Sequence, residues 1–392
     1  MERMDTDERR RRLLTRHLLT PATRSADPVE VADALVALHA TDPATVYLSL
    51  RARMQHATQP ELADAMYVEK RLTRLMAMRR TMFVVATDLA PVLQASSALA
   101  VAATQRKKLV GDLVKSGLVP GDVDRWLEDV SAGTLAALRR RGRAAAADLV
   151  ADEPRLETTL DLAPEKSYAA PQKITSRVLT VLALQGSIVR GRPFGGWTAT
   201  RNEWWPAEQW MAGGLGAMDV AQSRVELVHR WLRAFGPAPL TDLVWWTGWT
   251  GGQVRTALAS VDTREVELPG GPGLVLADDL DPTPASPPCA ALLPALDPTP
   301  MGWLDRDFFL APHREPLFDR TGNIGPSIWW DGRVVGGWAQ RPDGEIVTRL
   351  LTDVGADAAT AVADRADELA HWLGPLRVIP RFRTPLEREL AG

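Results

Sequence analysis

At 392 residues the chain exceeds the roughly 250 to 300 residues over which single cores usually grow, so several modules are expected. Forty-six basic against 49 acidic side chains leave a formal charge of -3, which excludes an indiscriminate polyanion binder, because such affinity comes chiefly from Lys and Arg displacing counterions. A lone cysteine, Cys289, excludes a disulfide framework and a cysteine-based zinc site; with no apolar run near the roughly 20 residues of a membrane span and no ligand-like spacing of histidines, the expectation is a cytoplasmic protein without metal or cofactor.

In chain order, Asp5 to Leu19 reads as a helix opened by a capping box of Asp5 with Glu8 and stopped at Pro21. Val29 to Leu38 and Pro43 to Met54 read as two helices joined by a short elbow, His39-Ala40-Thr41. Asp42 followed by Pro43 is a helix start, its oxygen accepting from an orphan amide while Pro fills a position that needs no donor. A helix from Pro60 to about Met76 and a strand over Thr81 to Val85 follow, the order of a winged-helix unit. Residues 92 to 165 are mostly helical, and Ala170 to Thr200 repeats the plan, with an apolar stripe of Ile174, Val178, Val181 and Leu182 before a strand at Gly186 to Arg190.

The clearest copy spans Val225 to Leu276. A short helix carries Leu240, Leu243 and Val244, Gly248 ends it, Thr250 with Gln253 caps the next helix to Ser260, and Glu265 to Leu276 forms a hairpin. Pro282 to Pro300 is expected to be a connector without regular structure. Beyond it the pattern turns to period two. Ser327 to Trp330 and Val334 to Ala339 flank the hairpin turn Asp331-Gly332-Arg333, a third strand runs over Glu345 to Leu351, a helix over Asp357 to Leu373, and Val378 to Phe382 returns as an edge strand. The fold class is therefore α+β, tandem winged-helix units with a C-terminal β-rich region. The expected divisions are residues 1–91, 92–169, 170–220, 221–281 and 282–392.

Basic runs at Arg9 to Arg12, Lys70 to Arg80, Arg106 to Lys108 and Arg139 to Arg143 lie in the N-terminal half. Singly each reads as a solvated helix face; together they favour a DNA-facing side there. The tryptophan clusters (Trp204, Trp205 and Trp210; Trp245, Trp246 and Trp249; Trp329 and Trp330) read as part core, part surface.

The elbow, together with PALDP from Pro294, HREPLFD from His313, GNIGP from Gly322, DGRVVGGWAQR from Asp331 and PRFRTPLER from Pro380, resembles the bacterial DNA glycosylases related to the azinomycin-resistance enzyme, and the resemblance spans most of the chain. It implies tandem winged-helix motifs and, at the elbow, a Gln-x-Gln or His-x-Gln tripeptide before Asp-Pro that positions the water hydrolysing the bond between an alkylated purine and its sugar. His39 matches the first position and Thr41 departs at the third. Splitting that bond passes through an oxocarbenium-like sugar, so a positioned water and nearby negative charge are what help. His39 can hold the water, although the dipole at a preceding helix C-terminus favours the charged ring. Thr41 can share the water, and Asp42 is either an electrostatic stabiliser or, if its oxygen is occupied, a helix cap. The resemblance also implies a hairpin approaching the minor groove, which points to Trp330 and Arg333 as DNA contacts; Arg381 and Arg383 are candidate phosphate contacts.

The leading expectation is a monomeric, nucleoid-associated glycosylase that releases N-alkylated purines, bulky natural-product adducts included, from damaged duplex DNA. The alternatives are a non-catalytic winged-helix DNA-binding protein in which Thr41 marks loss of the water site, and a helical scaffold.

Overall fold

The structure, a computed structural model, describes residues 2–161 and 171–392. The expected boundary at 169/170, the end of the helical stretch read to residue 165 and the first residue of the 170–220 segment lie outside the described residues. The fold is α+β, with helices set among small sheets. By packing, the chain forms two units: one of Met1–Leu72, Phe83–Ala86 and Arg224–Gly392, the other of Thr73–Met82 and Thr87–Ser223. The first unit is thus assembled from both ends of the chain.

Its first helix is Thr6–Arg16, capped by Asp5, whose carboxylate accepts from the Glu8 N–H at 2.8 Å. Glu8 does not complete the expected capping box. Its carboxylate takes Arg12 Nε at 2.6 Å and the Thr283 N–H at 3.0 Å instead. Arg12 is buried and donates to the carbonyls of Asp279 and Asp281, and the Arg9 guanidinium lies 3.7 Å from the centre of the Phe308 ring. Arg9 and Arg12 of the first basic run therefore face the interior, while Arg10 and Arg11 stay part-exposed.

The helix Pro28–Ala34 stops four residues short of the expected Leu38. Val36 adopts φ +62° with the Ala37 N–H donating to Leu35 O at 2.6 Å, a tight γ-turn that a β-branched residue rarely enters. Leu38–His39 then forms a two-residue strand antiparallel to the strand Met82–Ala86, with Leu38 opposite Val84 and His39 opposite Phe83. The physical reason is burial. Leu35 through Leu38 are sequestered from solvent, and buried backbone needs partners. The helix Gln59–Tyr67 opens with a Thr58/Glu61 capping box and is likewise shorter than expected, since Leu72–Met76 is a strand. Four of its five residues are buried, so it lacks the alternation that marks a one-sided strand.

In the C-terminal part of this unit, Leu240–Thr247, Gly248 at φ +69°, Gly251–Leu258 with its Thr250/Gln253 capping box, and the hairpin Thr263–Leu268 with Gly271–Leu276 follow the expected order. Glu2–Arg3 adds a parallel strand to that hairpin, Glu2 opposite Val266. A four-stranded antiparallel sheet has the order Ala290–Leu293, Ser327–Trp330, Arg333–Gln340, Ile346–Leu350. Its first strand lies inside the stretch expected to be an irregular connector. Between Pro288 and Pro294 every residue keeps its N–H, so pairing there is unobstructed. Asp331 at φ +48° and Gly332 at φ +75° make the tight hairpin turn. The helix Ala356–Leu373 packs on the strands Ala290–Leu293 and Ile346–Leu350, and Pro385–Ala391 packs on Arg333–Gln340. A Cβ on Gly337 would meet Leu386 Cδ2 at 2.7 Å, which accounts for a glycine in the GGW motif.

The second unit packs the helices Leu99–Ser116, Val123–Arg141, Ala146–Asp152 and Thr175–Leu184 with the hairpin Ile188–Pro193 and Asn202–Pro206 around Leu109, Leu127, Val130, Leu138 and Val178. Part of its basic runs is ion-paired: Arg106 with Asp124 and Glu128, Arg139 with Glu208, Arg141 with Asp152. Trp204, Trp210, Trp246, Trp249 and Trp329 are buried, so the tryptophan clusters serve mainly as core.

Candidate active site

The corner His39-Ala40-Thr41-Asp42 joins the short strand to the helix Pro43–Arg53. The Thr41 N–H donates to His39 Nδ1 at 3.4 Å, and the ring meets Phe83 edge-on at 5.9 Å between centres. With Nδ1 accepting, a neutral ring carries its proton on Nε2. The preceding helix ends at Ala34, so a turn and a strand intervene and its dipole does not bear on the ring as the sequence implied.

Asp42 is buried and fully engaged. Oδ1 accepts the Ala44 N–H at 3.1 Å as helix cap, and Oδ2 accepts the Arg381 N–H at 2.8 Å. The space behind it, against Thr45, Gln340, Val378 and Pro380, measures about 10 Å³, room for one water at most. The carboxylate's position is therefore set by two amides and solid packing.

The helix that Asp42 caps is anchored by an interior polar network. Thr45, Ser49 and Arg53, four residues apart and so on one face, receive the PALDP motif. Thr45 Oγ1 donates to Ala295 O at 2.7 Å, Ser49 Oγ to Asp297 Oδ2 at 2.7 Å, and Arg53 to both Asp297 oxygens at 2.9 and 2.6 Å. The other Arg53 N–H groups reach His17 O, Ser49 O and Thr299 Oγ1, so all five donors are used. His17 closes the chain. Burial, then the Arg53 charge, pushes it down to about 3; Nε2 donates to Ala234 O and Nδ1 accepts from the Thr299 hydroxyl. Sequence reading linked PALDP to the family but missed this role, because a buried Asp and its Arg lie 244 residues apart.

Beside the corner runs Leu376 to Thr384. Val378 to Phe382 is not the expected edge strand, since Pro380 lacks a donor and side chains supply the partners: Gln340 Oε1 accepts the Val378 N–H at 2.8 Å while Gln340 Nε2 donates to Leu376 O at 3.1 Å. Gln340 was not singled out from sequence, although it closes the GGWAQ motif. Ile379 is 68% exposed on this segment. Arg381 is exposed, with Nη1 3.4 Å from Thr41 O. Arg383 is committed to the buried Glu387 carboxylate at 2.7 and 3.1 Å, a bond that raises its already high pKa.

The structure thus brings His39, Thr41, Asp42 and Arg381 together and does not bring Trp330 and Arg333 to them. Thr45 meets Ala295 while Trp330 pairs with Ala290, five residues or roughly 15 Å along the strand direction. The Asp331-Gly332 turn rests on the first helix, where a Gly332 Cβ would lie 2.9 Å from Arg10 Cβ. Arg333 is exposed beside Arg10, Arg11 and Asp7. Among the described residues no cluster of three or more metal-ligating side chains occurs, and no helix is long and apolar enough to cross a membrane.

The fold is that of a solved DNA glycosylase, AlkZ of Streptomyces sahachiroi, matched over 96% of this chain and 98% of that one with a TM-score of 0.72 at 21% identity. No curated protein matches the sequence. The family described as DNA glycosylase AlkZ-like matches residues 32–372. The chain belongs to this AlkZ-like DNA glycosylase family, as the resemblance of its motifs implied.

Proposed function

We propose that the protein hydrolyses the N-glycosidic bond of N-alkylated purines in duplex DNA, with a water at the His39–Thr41 corner as nucleophile. One observation carries the reading: an imidazole, a hydroxyl and a carboxylate are gathered within four residues on a corner that the Asp42 cap and the Arg381 amide hold rigid. An alkylated purine is already cationic. As the C–N bond breaks its electron pair leaves with the base, which becomes neutral, and positive charge develops on the sugar. The Asp42 cap holds the corner in place, and His39 and Thr41 orient the water that adds to the anomeric carbon and sheds its proton to solvent or the departing base. The Arg381 side of the corner faces the DNA. Arg381 contacts a phosphate near the lesion, Arg383 contributes little while Glu387 holds it, and Trp330 with Arg333 makes a separate contact along the duplex.

Incubating the purified protein with duplex DNA containing 7-methylguanine should release the free base, and His39→Ala should slow release by about 100-fold or more, the scale of a lost positioning contact. Release undiminished in that variant removes His39 from the mechanism. A wild-type protein that binds the duplex but frees no base favours the second reading, a non-catalytic DNA-binding protein, for which Thr41 at the third tripeptide position is the motivating departure.

A further inference from the structure

We propose that the cavity at the far end of the helix Pro43–Arg53, lined by Arg24, Arg51 and Arg365 with His56, His371 and Trp372, is a binding site for a small phosphate-bearing ligand. It encloses about 580 Å³, within the range of sites that hold mononucleotide-sized molecules. Its positive charge is under-compensated. Arg24 Nε is shut off from solvent without a hydrogen-bond partner among the described residues, and Arg51 comes no closer than 3.7 Å to Glu368. Glu368 is also bonded by Arg365, so three guanidinium groups converge on one half-exposed carboxylate, with Asp367 the other acid on the wall. Burial pushes Arg51 down to about 10 and lowers Arg24, on which the Arg365 charge acts in the same direction. Desolvated cations that repel one another are costly unless an anion completes them. A phosphate suits them best, because its oxygens accept from several planar N–H forks at once.

The site is distinct from the corner. The eleven-residue helix between Asp42 and the cavity spans about 16 Å. A small ligand fits better than a duplex, because Arg24 and Arg51 sit deep in a hollow whereas backbone contacts along DNA use groups raised on the surface.

Calorimetric titration of the full chain with inorganic phosphate and with 2′-deoxyadenosine 5′-monophosphate, at ionic strength held constant with chloride, tests this. Saturable one-to-one binding is expected, weakened tenfold or more by Arg51→Gln, and by Arg365→Gln should the first variant fold poorly. Tighter binding of the nucleotide identifies a nucleoside phosphate as the ligand; equal affinities identify phosphate itself. Absence of saturable heat from both, affinity unchanged in both variants, or displacement of phosphate by a short DNA duplex overturns the proposal. None of these readouts depends on base release, so the outcome is separate from that of the glycosylase reading.

Discussion

Replacing Asp297 by alanine should destabilise the protein severely while leaving its surface untouched. The carboxylate is fully buried and accepts four hydrogen bonds, two from Arg53, one from Ser49 Oγ and one from the Thr299 N–H at 2.9 Å. Without it a completely buried guanidinium keeps only two carbonyls and one hydroxyl. Removing one member of a buried ion pair costs about 3–5 kcal/mol, mostly because a charge is left uncompensated. At roughly 2–4 °C per kcal/mol for a unit of this size, Asp297→Ala should lower Tm by about 6–20 °C. The double variant Arg53→Met, Asp297→Leu removes both charges and should recover at least half of the loss. Differential scanning calorimetry on the three proteins is the assay. A Tm within about 1 °C of wild type for Asp297→Ala, or a double variant as unstable as the single one, would refute the view that uncompensated charge is what the pair prevents.

Three further outcomes are expected. Thr41→Gln, which restores reach at the third tripeptide position, should raise 7-methylguanine release by about tenfold, a gain of about 1.4 kcal/mol; an unchanged single-turnover rate would show that the position does not limit catalysis. Arg381→Ala should weaken duplex binding measured by anisotropy and reduce its salt slope by about 1, with Arg383→Ala much milder because Glu387 already neutralises that side chain. Burial pushes Asp242 up to about 6, although the Leu304 and Asp305 amides and Arg9 pull the other way. Since an unfolded Asp titrates near about 3.9, the native state holds the proton from about pH 4 to 6 where the unfolded state has released it. Stability therefore falls as pH rises through that window, by up to about 3 kcal/mol at neutrality. Asp242→Asn should flatten the profile, with Tm above wild type at pH 7 and equal near pH 4; parallel profiles would contradict the assignment.

What was legible in the sequence was local. Asp42-Pro43, Thr250 with Gln253, and Asp331-Gly332 each encode a cap or turn within four residues, and each adopts it. What was hidden depends on distant partners. Leu38–His39 becomes a strand only because Phe83 and Val84 lie alongside, and Leu72–Met76 lost its period-two signature through burial of four of its five residues. Arg9 to Arg12 read as a solvated helix face, and with the other basic runs as a DNA-facing side, because nothing nearby in sequence announces Phe308, Asp279 or Asp281, which take Arg9 and Arg12 into the interior. At the site, His39, Thr41 and Asp42 were singled out through the family resemblance of the tripeptide before Asp42-Pro43, whereas Gln340, Asp297 and Arg53 act through contacts that no short window contains.

The Arg53–Asp297 bond also imposes an order of events on biosynthesis. When the ribosome has made the helix ending at Arg53, the aspartate that matches it is still 244 codons away, which at 5–20 residues per second means roughly 10–50 s of waiting. Until then His17, Ser49 and Arg53 belong to a nascent chain that cannot close its interior. Stop codons or ribosome stalls before residue 297 should accordingly yield fragments that proteases clear, however complete their helices look.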